Sequence, residues 1–178
     1  MTTFPFTLEK MVQTKSMKDI QVKEMCKECE IERTTFYYHF CDKYDVIAWI
    51  FEKMFKEESK MAKVINNEEM IFNMANRIYK KKDFFSCVLQ DDSQNNLRQY
   101  MLDFYIRSEE ATLKKYRNVE KLDEDTKYTI RAYSYGCMGL TVEWLMNKIN
   151  LTPEQFAYHQ YRLMPQELKE AYQKETDI

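Results

Sequence analysis

The scarcity of glycine constrains this chain more than any other feature: 2 Gly and 3 Pro stand among 178 residues. A backbone cannot approach a pyrophosphate closely without several glycines, so there is almost no room for a glycine-rich phosphate cradle. Turn-rich β sandwiches are disfavoured for the same reason, because their tight turns draw on Gly and Pro. Long helices with short, non-glycine connections are the natural outcome. With 44% hydrophobic and 31% charged residues, the composition is that of a globular protein. A chain of this length can bury about 70% of its unfolded surface without a disulfide or metal staple.

The apolar spacing agrees. Ile47, Ile50, Phe51, Met54, Phe55, Met61 and Ile65 form one stripe at helical period, and Leu97, Tyr100, Met101, Phe104 and Ala111 form another. No strand-like alternation is sustained. Asn66 with Glu69 makes a capping-box pattern, and Asp123 precedes two acids. Thr152, Pro153 and Gln155 fit the N-cap, N1 and N3 positions of a helix, and Lys80 to Lys82 suit a helix C-terminus. These signals predict about nine helices, near 7–15, 21–29, 33–40, 44–65, 68–81, 94–115, 124–149, 153–161 and 165–176.

The segment from Glu124 to Ile149 carries two stripes. Tyr128, Tyr135, Met138, Val142, Leu145 and Ile149 make one; Ile130, Tyr133, Cys137, Leu140 and Trp144 make the other. A helix apolar on two sides must bury both. Gly136 and Gly139 each cost about 1 kcal/mol relative to Ala in a helix interior, but they permit close helix–helix approach. Tyr135, Gly136, Gly139, Val142 and Leu145 are therefore the expected subunit interface. A central helix of a monomeric bundle is the other reading. The chain also holds 12 Met and 15% aromatic residues, which suit a pocket with adaptable, bulky walls. Candidates for such walls are Met74, Tyr79, Phe84, Tyr100, Phe104, Tyr105, Tyr133 and Met138, with ordinary core as the alternative for each. Glu143, beside Trp144, either reaches a ligand or faces solvent.

Net charge is −2, so no global basic field advertises nucleic acid. The 5 Cys are irregularly spaced and no apolar signal core follows Met1, so reduced thiols and a cytoplasmic location are expected. The run Val46 to Phe51 is far too short to span a membrane. Cys26 and Cys29 form C-x2-C, but an i, i+3 pair on one helix is poor geometry for a closed tetrahedral metal site. No metal or cofactor is expected. The two His, His39 and His159, stand in no recognisable catalytic arrangement, so no enzymatic activity is expected either.

The most informative stretch is Ile20 to Lys43, IQVKEMCKECEIERTTFYYHFCDK. It reads as a short helix, a tight turn at Glu30 and Ile31, and a second short helix. Val22, Met25 and Cys29 point inward from the first; Ile31, Phe36 and Phe40 hold the second against it. Two short helices crossing steeply on a small apolar knot make a helix-turn-helix, whose second helix can enter the major groove.

Here the chain resembles the TetR/AcrR family of transcriptional regulators. The matching residues are Ile20, Val22, Met25, Cys29, Ile31, Arg33, Thr35, Phe36, Tyr37, His39, Phe40 and Lys43. The run from Thr35 to Phe40, followed by Asp42 and Lys43, is the specific part. Tyr44 to Phe51 is further similar to a branch that includes regulators of dihydroxyacetone kinase operons. The resemblance implies an all-α subunit, with a three-helix head over 1–45 and a helical dimerisation and effector body over 46–178. It also implies DNA contacts from Arg33, Thr34, Thr35, Tyr37, Tyr38 and His39, with Lys43 as a phosphate anchor. Arg can pair bidentately with guanine, and the hydroxyls suit phosphate or groove contacts. Implied partners are a palindromic double-stranded operator, a second copy of the chain and a small-molecule effector.

Three features depart from the family pattern. Glu30 stands where Gly is usual in the turn, Gln21 where a Thr or Ser N-cap is common, and Glu32 lies beside the recognition helix. Residues 1–50 carry one more acid than base, which predicts weak, strongly salt-dependent non-specific binding. The competing function is a protein-interaction module with a degenerate helix-turn-helix that acts through a partner protein.

Overall fold

The computed structural model describes residues 3–61, 67–90 and 97–176. Asn66 of the expected capping box, Ile65 of the first stripe and the start of the 94–115 helix lie outside the described residues. Among those described there is no strand, and no helix is long and apolar enough to cross a membrane.

Three helices open the chain: α1 (Thr3–Met11), α2 (Val22–Glu28) and α3 (Arg33–His39). Helix α1 begins at Thr3 rather than near 7, because Pro5 fits a first helical turn, where its missing N–H has no partner to lose. Its Phe4 and Leu8 are buried and form the hub of the head. The Phe4 ring meets Phe36 edge-on at 5.1 Å and Phe40 at 6.2 Å. Ile20, Met25 and Phe36 complete this knot, all fully buried.

Helix α4 (Lys43–Met61) links head to body. Asp42 caps it by accepting from the Tyr44 and Asp45 amides at 2.8 and 2.9 Å. Its buried face, Val46, Ile47, Ile50, Phe51 and Met54, lies against α1 first and against the body further on. The body comprises α5 (Asn67–Lys80), α6 (Lys82–Leu89), α7 (Leu97–Arg117), α8 (Glu124–Leu145), α9 (Pro153–Leu163) and α10 (Gln166–Thr176). Helix α5 lies on α9, α7 packs on α8 and α10, and α6 packs on α8. Ten helices are thus described, and the one not anticipated is α6. Its six-residue apolar core FFSCVL is too short for periodicity to reveal, but Phe84, Phe85, Val88 and Leu89 are all buried.

The non-glycine connections have a common device. Glu30, Asn118 and Asn147 take left-handed backbone, with φ of 53°, 55° and 59°. After each, the next amide reaches back five residues: Ile31 to Cys26 O at 3.0 Å, Val119 to Lys114 O at 3.0 Å and Lys148 to Glu143 O at 2.9 Å. These are Schellman-type helix ends, usually built on glycine. The stop at Asn147 is why α8 ends at Leu145 instead of running to 149. Helix starts follow the predicted caps. The Asp123 carboxylate accepts from the Thr126 amide at 2.8 Å, and Thr152 and Gln155 form a reciprocal box ahead of Pro153.

Candidate nucleic-acid interface and body cavity

Helix α3 is held by one side of itself. Phe36 points into the head and is fully buried, whereas Arg33, Thr34, Thr35, Tyr37, Tyr38 and His39 are all exposed. Tyr38 is 85% exposed, an unusual position for an aromatic ring, and it meets the His39 imidazole edge-on at 5.0 Å. The Arg33 guanidinium lies 5.8 Å from the centre of the Tyr37 ring, one turn on. A hydrogen bond with Tyr37 raises the already high pKa of Arg33, so it stays cationic. The helix therefore presents a cation, two threonine hydroxyls, two phenols and an imidazole along one outward face.

Lys43 is placed differently from the expected phosphate anchor. Its ammonium donates to the main-chain carbonyls of Met17, Lys18 (3.3 Å) and Ile20 (2.8 Å). An ammonium has three donors, and this turn takes three. Lys43 thus ties the start of α4 to the turn that launches α2. Several acids of the head have partners within the protein. Glu9 pairs with Lys81, Glu24 with Lys15 at 3.1 Å, and Asp42 and Asp45 accept from backbone amides. Exposed Glu30 and Glu32 remain beside α3.

The body encloses a cavity of about 130 Å³ among α4, α5, α7, α8, α9 and α10. Of the expected wall residues, Met74, Tyr105, Tyr133 and Met138 line it. The other four are elsewhere. Tyr79 stacks on the outer side of Trp144 at 5.0 Å, Phe84 packs on Phe85, Tyr100 donates to Glu52, and Phe104 packs against Phe51 and Phe55. Helical spacing alone does not tell which flank of a stripe meets a cavity and which meets a neighbouring helix.

Sequence reasoning missed the polar groups of this cavity. Glu109 is only 7% exposed, and burial pushes its carboxyl up to about 7. Ser134 Oγ lies 2.7 Å from its Oε2 and 2.9 Å from the Ile130 carbonyl oxygen. Gln160, 6% exposed, has a buried Oε1 with no hydrogen-bond partner. The signal was present for Glu109, which follows Met101 and Tyr105 and precedes Leu113 at four-residue steps on the buried stripe of α7. Glu143, the acid singled out beside Trp144, faces solvent.

The outer face of α8 is bare. Tyr128 and Tyr135 are exposed, and a Cβ added at Gly136 or Gly139 would meet nothing within 4 Å. On α9, Tyr158 and Leu163 are exposed as well. Val142 is half-buried. Leu145, expected on this face, is instead 1% exposed and packs inward, its carbonyl accepting from Ser86 at 3.1 Å. Four residues beyond Thr141 and next to Trp144, it falls on the flank that faces α6.

Comparison with known proteins bears on both parts. Residues 66–166 match a TetR-type family described as "Transcriptional regulator C-terminal region". A solved structure described as "Dihydroxyacetone kinase operon activator DhaS" superposes with a TM-score of 0.64 at 15% identity, covering 91% of this chain and 92% of that one. At that identity the likeness is one of fold. A search of curated protein sequences finds no match. The matched body lies outside the helix-turn-helix that carries the sequence resemblance, so two separate segments lead to one assignment. The chain belongs to the TetR family of transcriptional regulators.

Proposed function

We propose that this protein is a cytoplasmic transcriptional regulator rather than an enzyme, and that it binds a palindromic operator as a homodimer. Residues 1–45 act as the DNA-reading head and 46–178 as the dimerisation and effector body. The observation that carries the reading is the outward face of α3: six polar or aromatic side chains exposed around the single buried anchor Phe36. In the major groove, Arg33 addresses guanine edges, while Thr34, Thr35, Tyr37, Tyr38 and His39 serve phosphates, sugar and thymine methyls. Lys43 contributes by positioning α2.

The bare face of α8, centred on Tyr135, Gly136 and Gly139, with Val142 at its edge, supplies the two-fold contact together with α9. A two-fold dimer offers two recognition helices to two half-sites. A dimer seated on a promoter excludes polymerase, so repression is the default sign. The cavity holds the effector. Phe55 of α4 lines the cavity, and the same helix runs back to the head at Lys43. A ligand that favours one position of α4 shifts the population of head spacings and releases DNA.

Fluorescence anisotropy with the DNA upstream of the protein's own gene, at several salt concentrations, tests the reading. Arg33→Ala and Tyr37→Ala are each expected to weaken specific binding about ten-fold or more while leaving the thermal melt in place. A folded dimer that binds no DNA at any salt concentration would favour the protein-interaction module instead.

A further inference from the structure

The cavity has a chemical bias. Its walls are mostly apolar or aromatic, including Phe55, Trp144 and Phe156, and no Lys, Arg or His lines it among the described residues. Among the described residues, one fully buried side-chain polar atom has no partner, and it is an acceptor on this wall, Gln160 Oε1. The one wall residue able to carry charge near neutral pH is an acid, Glu109. An anionic ligand would meet no cation there and would leave its charge unpaired among mostly apolar walls, which is costly.

The hydrogen bonds around Glu109 describe its resting state. A hydroxyl has a single hydrogen, and Ser134 Oγ lies between Glu109 Oε2 and the Ile130 carbonyl. A protonated Glu109 satisfies both contacts: it donates to Ser134 Oγ, which donates onward to Ile130. An ionised Glu109 would have to take the Ser134 hydrogen away from the carbonyl. Burial is what raises the carboxyl, and the Ser134 hydrogen bond offsets only part of that rise. The titratable groups around Glu109 are Tyr105 on its own helix, Tyr133 and Cys137 on α8, and Tyr172 on α10. Burial pushes Cys137 up to about 12 and Tyr105 and Tyr133 above their usual range, so none of these three carries charge at neutral pH. The walls from α4, α5 and α9 contribute no titratable side chain.

We infer that the cavity takes a small lipophilic monoamine in its ammonium form, with the –NH3+ donating to the Glu109 carboxylate and to Gln160 Oε1. The aryl or alkyl body lies among the aromatic walls, whose π faces also attract the cation. A cavity of this size suits a single ring, since engineered cavities of about 150 Å³ hold benzene. Charge balances by exchange: Glu109 releases its proton to buffer as the cation enters, and the Ser134 hydrogen turns to the new carboxylate. The inference rests on the reading of this cavity as the effector site.

Isothermal titration calorimetry on the full chain without DNA tests it, with benzylamine, benzyl alcohol and benzoate as probes. Benzylamine is expected to bind at least ten-fold tighter than benzyl alcohol at pH 8.5, and benzoate is expected not to bind. With Glu109 titrating near 7, benzylamine affinity should rise about thirty-fold from pH 5.5 to 8.5, while benzyl alcohol affinity does not rise. At pH 6, titrations in two buffers of different ionisation enthalpy should show close to one proton released. Glu109→Gln should lower benzylamine affinity at least ten-fold and flatten its pH profile; the wild-type pH profile tests the point without any variant. Benzyl alcohol binding as tightly as the amine, binding of benzoate, or no binding of benzylamine at any pH overturns the inference. Loss of DNA binding in the separate anisotropy assay would instead overturn the regulator reading.

Discussion

Glu30 holds a left-handed backbone in the turn between α2 and α3. That conformation costs an L-residue about 1–2 kcal/mol, and glycine adopts it freely. Glycine also enlarges the unfolded ensemble, worth about 0.4–1 kcal/mol in the other direction. Glu30→Gly should therefore stabilise the protein by about 0.5–1 kcal/mol in a denaturant titration and, by removing an acid beside α3, raise DNA affinity at low salt. A drop in stability would mean the turn is not left-handed at this position. Glu109 makes a second residue-scale prediction. Its folded carboxyl is raised to about 7 from the ordinary glutamate value of 4.5. The folded state therefore holds a proton that the unfolded chain has released, and the stability Glu109 confers below about pH 4.5 is lost as pH rises through 7. Relative to Glu109→Gln, the wild type should lose on the order of 3 kcal/mol between about pH 5 and pH 8, read from urea midpoints at each pH.

At the scale of elements, the head is a clamp assembled from short pieces that would not hold alone. Helices of seven residues such as α2 and α3 are far below the length at which an isolated helix persists. Their stability comes from Phe4, Met25 and Phe36, and from Lys43 drawing the turn at Met17 to Ile20 onto α4. Lys43→Ala leaves partly buried carbonyls unpaired, so it should cost about 1–3 kcal/mol and lower the melting temperature. Were Lys43 a phosphate anchor instead, the variant would melt like the wild type and the salt dependence of DNA binding would weaken by about one counterion. In the body, Arg117 makes a comparable tie. It pairs with Glu167 through Nε at 2.5 Å and Nη2 at 2.6 Å, and with Asp123 at 3.0 Å, joining the end of α7 to the starts of α8 and α10.

For the whole molecule, the decisive surface is the outer face of α8. Within one chain, alanine fits at Gly136 and Gly139 without contact, and each exchange should add about 1 kcal/mol of helix propensity. Across a closely packed two-fold interface the same methyl groups collide with the partner helix. The double variant Gly136→Ala, Gly139→Ala should therefore dissociate at higher concentration than the wild type in light scattering, and lose operator affinity with the dimer. If it only becomes more stable while keeping its mass, α8 does not form the interface.

Helix content and many helix ends were legible in the residues themselves. Local rules decide them: a cap at Asp123 or Thr152 bonds an amide three residues away, and a chain nearly without glycine has few other options. The outward set on α3 was legible too, because Phe36 must bury itself and a short helix leaves its remaining positions outside. The cavity was not. Its walls come from six helices far apart in the chain, and whether Tyr105 or Phe104 faces it depends on how α7 is rotated against α4 and α8. The same holds for Leu145, turned inward by the packing of α6, a helix that periodicity did not disclose. Lys43 found its partners across a gap of more than twenty residues, through a turn whose path only the assembled head defines. Local sequence sets what a segment is; which of its sides meets what is a property of the packed whole, since burial is shared among segments and no one of them contains it.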